Sequence, residues 1–107
     1  MQQLSPRALA EWLADESRAK PHLLDVREAW EYDICRIADS QLMPMASVPM
    51  RAEELEPDAP VVVICHHGGR SMQVAYFLER HGLTQVFNLA GGVAGWAEQV
   101  DPTMPRY

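Results

Sequence analysis

The sequence predicts a three-layer α/β/α domain, and three observations carry that expectation. Val61-Val62-Val63-Ile64 is a run of four β-branched residues, the pattern of a strand covered on both faces. That run enters a glycine-bearing loop, Cys65 to Arg70, and then a segment from Ser71 with apolar residues at helical spacing (Val74, Ala75, Leu78) that stops at Gly82. Along the rest of the chain, strand-like and helix-like stretches alternate, which implies mainly parallel pairing with helices on both faces. Periodicity alone leaves the strand order open.

Each element follows from local chemistry. Ser5-Pro6 reads as an N-cap with proline at the first helical position, and Leu9, Trp12 and Leu13 form one apolar stripe through a helix ending near Ser17. Lys20-Pro21 breaks that pattern. His22 to Val26 is a short strand containing a carboxylate, Asp25, and Arg27 to Tyr32 has room for a turn or two of helix. Residues 35–50 carry no single pattern; Gln41-Leu42-Met43 reads as a strand, with Pro44 and Pro49 bounding irregular connections. Met50 to Leu55 reads as a short helix and Glu56 to Pro60 as a polar loop. Gln85 to Leu89 is a further strand, Gly91-Gly92 turns the chain, and Val93 to Gln99 is a final helix. Residues 100–107 form a tail with two prolines and little periodicity, and nothing marks an internal repeat or linker. Trp12, Trp30 and Trp96 are expected to be packing residues, and Met43, Met45 and Met50 gap-fillers.

Composition narrows the function. The chain has 107 residues, enough for one domain (1–107) with a core that needs no disulfide. Hydrophobic content of 48% and charged content of 22% are those of an ordinary globular protein. A net charge of −6 has the wrong sign for general binding to nucleic acid or an anionic membrane. No apolar run is long enough to span a bilayer, and the first residues lack the layout of a secretory signal, so the expected compartment is the cytoplasm. The two cysteines are then expected as free thiols.

The chemistry concentrates at Cys65. A cysteine at the carboxyl end of a central strand, facing a helix N-terminus, lies where open α/β sheets bind ligands and where backbone N–H groups favour an anion. A thiolate is such an anion, and it is the nucleophilic form of the side chain. Gly68 and Gly69 allow successive N–H groups of residues 66–70 to turn inward as an anion-binding nest. Arg70 adds fixed charge, either inward toward a bound oxyanion or outward to a carboxylate that holds the loop. His66 and His67 are adjacent on a tight loop with no spaced partners to complete a metal site, so no metal is expected; they shape the pocket or touch substrate. Asp25 and Arg27, on the same rim of the sheet, read as an ion pair or capping support. Cys35 is a candidate to resolve an oxidised or persulfidated Cys65, though no spacing demands it.

Three segments in this order resemble the rhodanese homology domain in its single-domain form: Leu23-Leu24-Asp25-Val26-Arg27-Glu28 with Glu31, then Val61 to Ser71, then Val86-Phe87-Asn88-Leu89-Ala90-Gly91-Gly92-Val93-Ala94-Gly95-Trp96. The resemblance implies a five-stranded parallel sheet in the order 1-5-4-2-3. It implies a sulfurtransferase without cofactor, moving sulfane sulfur from a donor such as thiosulfate to cyanide or a thiol through a Cys65 persulfide. The His66, His67, Gly68, Gly69, Arg70 and Ser71 loop would cradle the outer sulfur. The alternative within the same resemblance is a relay module that receives persulfide sulfur from a protein partner. One departure stands out: Cys35-Arg36-Ile37 replaces the family's usual Gly-His-Ile, which bears on the loop near the pocket rather than on the nucleophile. Cysteine phosphatases and arsenate reductases of related fold carry a longer loop between cysteine and arginine, which disfavours that reading.

Overall fold

The computed structural model describes residues 1–107 and contains five parallel strands: β1 (Gln2–Leu4), β2 (His22–Asp25), β3 (Gln41–Leu42), β4 (Val61–Ile64) and β5 (Val86–Leu89). Their order across the sheet is β1-β5-β4-β2-β3. Helices α1 (Pro6–Ala14), α2 (Ala29–Ile34), α3 (Val48–Arg51) and α4 (Gly69–Arg80) connect them, and α5 (Gly92–Gln99) follows β5. The expected α/β/α architecture and strand order are therefore those observed.

Alternation along the central strands builds two cores. In β4, Val61 and Val63 pack on one face with Leu24, Met43, Val48, Val74, Ala75 and Leu78, the side of α3 and α4. Val62 and Ile64 pack on the other with Leu9, Trp12, Leu23, Val93 and Trp96, the side of α1 and α5. β4 is buried at all four positions because both faces are covered, which is why its sequence does not alternate with polar residues.

Several boundaries differ from the sequence reading, each for a local reason. Ser5 Oγ accepts from Ala8 N–H at 3.1 Å and starts α1 as expected. The helix stops at Ala14, short of Ser17, because Asp15 Oδ1 captures both the backbone N–H and the hydroxyl of Ser17. α2 begins at Ala29, after Arg27, because Glu28 and Glu31 form a reciprocal capping box. Met43 lies just past β3, its N–H bonded to Asp25 O. Residues 45–54 form α3 between two single 3₁₀ turns, where one helix over Met50 to Leu55 is expected. α4 starts at Gly69, two residues before Ser71.

Two packing expectations are overturned. Trp12 and Trp96 are buried, but Trp30 lies outside the core, 60% exposed on the six-residue α2, and packs only edge-on against Tyr107. Met43 is fully buried, whereas Met50 is 89% exposed on α3 and fills no gap.

Candidate active site

The register of the sheet sets the site. Asp25 pairs with Ile64, so the carboxyl ends of β2 and β4 lie side by side and Cys65 leaves the sheet next to Val26. Cys65 is 1% exposed, and its Sγ lies 3.0 Å from the N–H of Gly68 and 3.3 Å from Ser71 Oγ. The sulfur is thus enclosed, but by hydrogen-bond donors rather than by hydrocarbon alone. Gly68 reaches it with φ +106°, a conformation that a side chain would strain, and this residue caps α4. The amides of the first turn of α4 have no acceptor within the helix.

Gly92 determines which way the loop faces. Val93 N–H donates to Cys65 O and Ala94 N–H to His66 O, so the start of α5 docks directly on the loop. A Cβ on Gly92 would stand 2.3 Å from Cys65 O and 2.4 Å from His66 O; no other residue permits this approach. Because a trans peptide points its N–H opposite to its C=O, drawing those two carbonyls toward α5 turns the amides of His66 and His67 away from it.

A neutral hydrogen-bond network supports the loop on its α4 and β5 side. Ser71 Oγ bonds to Asn88 Oδ1, while Asn88 Nδ2 donates to Gly68 O and to Gln3 Oε1. A charged network supports it on the β2 side. Asp25 and Arg27 are both fully buried and paired, Nη2 to Oδ2 at 2.7 Å and Nε to Oδ1 at 2.9 Å. Arg27 also donates to Glu31 O, Cys35 O and the Tyr107 hydroxyl, so its remaining donors are satisfied. Burial works against the Arg27 charge, but the bonds to Asp25 and Tyr107 outweigh it and hold the guanidinium charged.

Arg70 belongs to the charged side. Its two terminal nitrogens bond to Glu31 at 2.8 and 2.9 Å, so the guanidinium meets a carboxylate, one of the two orientations the sequence left open. Arg70 holds the Glu31 carboxyl down at about 2, with help from the Glu28 amide and the Tyr107 hydroxyl against the cost of burial. Tyr107 lays its ring on His66, with centroids 3.9 Å apart and planes 10° apart, and His66 stacks in turn on His67 at 3.9 Å. Burial, then the neighbouring His67, lower the His66 pKa and favour a neutral ring. Cys35 and Cys65 are both free thiols; Cys35 Sγ lies 3.8 Å from Arg27 Nη1 and lines a cavity beside His66 and His67.

Of the residues singled out by sequence, Cys65, Gly68 and Ser71 meet at the sulfur, while His66 and His67 stack on each other in the same loop. Arg70, Asp25 and Arg27 stand behind as support. Sequence reasoning assigned no role to Asn88, Gln3 or Tyr107. Asn88 carried a usable signal, since a lone amide in the strand Val86-Phe87-Asn88-Leu89 must find partners once buried. Gln3 and Tyr107 act across the whole length of the chain, and no local pattern points to them.

Fold and site together define a parallel α/β domain that places one thiol at the sheet rim against the Gly68 amide and the Ser71 hydroxyl. Residues 8–99 match the Rhodanese-like domain family, and the chain belongs to it. A sulfurtransferase of Allochromatium vinosum is 34% identical over 95 residues, 89% of this chain and 87% of that protein. The probable adenylyltransferase/sulfurtransferase MoeZ of Mycobacterium tuberculosis is 33% identical over 97% of this chain, which spans only 26% of MoeZ. A chloroplastic rhodanese-like/PpiC domain-containing protein of Arabidopsis thaliana is 36% identical over 79% of the chain, which spans 30% of its length. Among solved structures, a rhodanese-related protein from Thermoplasma volcanium superposes with a TM-score of 0.83 at 30% identity, covering 94% of each chain.

Proposed function

We propose that this protein is a sulfurtransferase that carries sulfane sulfur on Cys65. The Cys65 thiolate attacks the outer sulfur of thiosulfate; the new Sγ–S bond forms as the S–S bond of the donor breaks, and sulfite leaves with the electron pair. Cyanide or a thiolate acceptor then attacks the outer sulfur of the persulfide, and Cys65 departs as the thiolate. Splitting the transfer through a covalent intermediate gives ping-pong kinetics.

The observation that carries this reading is the bond from Gly68 N–H to Cys65 Sγ beside the free first-turn amides of α4. Donors already in place stabilise negative charge on sulfur without reorganisation, and each is worth roughly 3 kcal/mol in sites of this kind. Ser71 adds a hydroxyl that turns between the sulfur and Asn88 as the charge on Cys65 changes. His66, His67, Gly69 and Arg70 supply the remaining wall and amides of the cradle, and Asp25 and Arg27 keep its base rigid. Arg70, spent on Glu31, is not free to clamp a bound phosphate, and only four residues separate it from Cys65; both facts oppose a phosphatase reading. Cys65→Ala is expected to abolish thiosulfate:cyanide turnover while leaving the circular dichroism spectrum and melting curve close to those of the parent. Retained turnover would remove the mechanism.

A second reading, a persulfide relay fed by a protein donor, draws on the MoeZ relative, in which a matching domain forms a quarter of a larger adenylyltransferase/sulfurtransferase. Loading of Cys65 by a persulfidated protein but not by thiosulfate would select the relay.

A further inference from the structure

Cys65, Ser71 and Asn88 are shut off from solvent, at 1%, 0% and 2% exposure, so they share their hydrogens without help from bulk water. Ser71 has one hydroxyl hydrogen and two acceptors for it, Cys65 Sγ at 3.3 Å and Asn88 Oδ1. It serves one of them at a time.

The Asn88 amide is pinned against rotation. Its Nδ2 donates to Gly68 O at 3.2 Å and to Gln3 Oε1 at 3.0 Å, which uses both N–H bonds and turns Oδ1 to Ser71. Gln3 sits opposite Asn88 in the β1–β5 register, and its own Nε2 points to Met72 Sδ at 3.4 Å. The short edge strand β1 thus fixes an amide that touches the hydroxyl donor to the sulfur.

Which acceptor holds the Ser71 hydrogen depends on the state of Cys65. A thiol sulfur accepts weakly, and so does the inner sulfur of a persulfide, whose charge lies on the outer atom; in both forms the hydrogen stays on Asn88. The thiolate, with full charge on Sγ, draws it across, because bonds to charged acceptors are roughly twice as strong as neutral ones. That turn leaves Asn88 Oδ1 buried and unpaired, which is unfavourable. We propose that Asn88 is a positioning residue that, through Ser71, withholds part of the stabilisation of the unloaded thiolate and so favours the sulfur-loaded form. The inference rests on the sulfur-transfer reading above. In the exchange concerned, Cys65 Sγ bonds to the outer sulfur of thiosulfate, the donor S–S bond breaks, and sulfite leaves with the electron pair. Negative charge moves from Sγ to the outer sulfur, and the Ser71 hydrogen returns to Asn88.

The loading equilibrium tests this. Protein is held at fixed thiosulfate-to-sulfite ratios, and intact-protein mass gives the fraction of Cys65 that carries an added sulfur. Asn88→Ala is expected to shift the loaded-to-unloaded ratio roughly tenfold toward the unloaded form, about 1.4 kcal/mol. Gln3→Ala, at an exposed edge position, shifts it the same way by a smaller factor. Ser71→Ala shifts it the opposite way, and in Ser71→Ala/Asn88→Ala the effect of Asn88 disappears. An Asn88 that only braces the loop would slow loading and unloading together and leave the equilibrium in place. That result overturns the inference, as does a shift that persists undiminished in the Ser71→Ala background. Alkylation of Cys65 by iodoacetamide, followed at its own peptide at a pH where it is all thiolate, needs no sulfur donor. Its limiting rate should fall about threefold in Asn88→Ala, since nucleophilicity follows basicity with a slope near one half. An unchanged or raised rate overturns the inference. If Cys65 takes up no sulfur, the catalytic reading fails, and the alkylation rate alone decides whether Asn88 governs the thiolate.

Discussion

The loop that follows Cys65 is held from two sides by two kinds of chemistry. On the β2 side, Asp25, Arg27, Glu31, Arg70 and Tyr107 form a charged network, and its Asp25–Arg27 pair is fully out of water. On the β5 side, Ser71, Asn88, Gln3 and the Gly68 carbonyl form a neutral one. The neutral network is the one that touches the sulfur. A buried charge at Asn88 or Ser71 would fix one protonation state of Cys65, whereas a hydroxyl and an amide adapt to thiol, thiolate or persulfide. The charged network touches the loop only at its ends, through Arg70 and through Tyr107 on His66. Rigidity is supplied by charge at a distance, adaptability by neutral groups in contact.

That contrast is open to direct attack. The largest effect is expected from Asp25→Ala, which leaves Arg27 buried without its carboxylate. Loss of one partner of a buried pair costs about 3–5 kcal/mol, readable as a shifted urea midpoint, and the pair is not rescued by Asn. Asn88→Ala should cost less, about 1–3 kcal/mol, since neutral partners are left unpaired, yet it should slow persulfide formation more for each unit of stability lost. If Asp25→Ala damaged the rate as much as Asn88→Ala at matched stability, the division between the two sides would be false.

The smallest expected effect is a dependence on pH. Glu31 has its folded pKa depressed from 4.5 to about 2, chiefly by Arg70, so the stability it contributes is fully present above about pH 4.5 and is lost as pH falls toward 2. Melting temperatures measured between those values should fall in the parent and fall less steeply in Glu31→Gln. Parallel curves would show that the carboxylate contributes nothing to the charged side.

The sequence displays the neutral side and the nucleophile better than the charged side. Cys65 is legible because a four-residue β-branched strand, two glycines and a helical period surround it within twenty residues. β2 and β5 are legible by the same apolar pattern. β1 is not: Gln2–Leu4 is three residues of mostly exposed edge strand, made a strand only by pairing with β5. β3, read from Gln41-Leu42-Met43, is a strand of two residues held by pairing with Leu24 and Asp25. The direction of Arg70 depends on Glu31, 39 residues away, and Tyr107 meets Glu31 and His66 only through the fold, so no local pattern displays either. Trp30 and Met50 look like core by residue type alone, and short helices expose them.

Intact-protein mass measurement after incubation with thiosulfate, with the modified residue located by peptide mapping, tests the central claim most directly. One added sulfur atom on Cys65, removed by cyanide, is the result expected. No addition from thiosulfate or from a protein persulfide, or addition at Cys35 in place of Cys65, would contradict it.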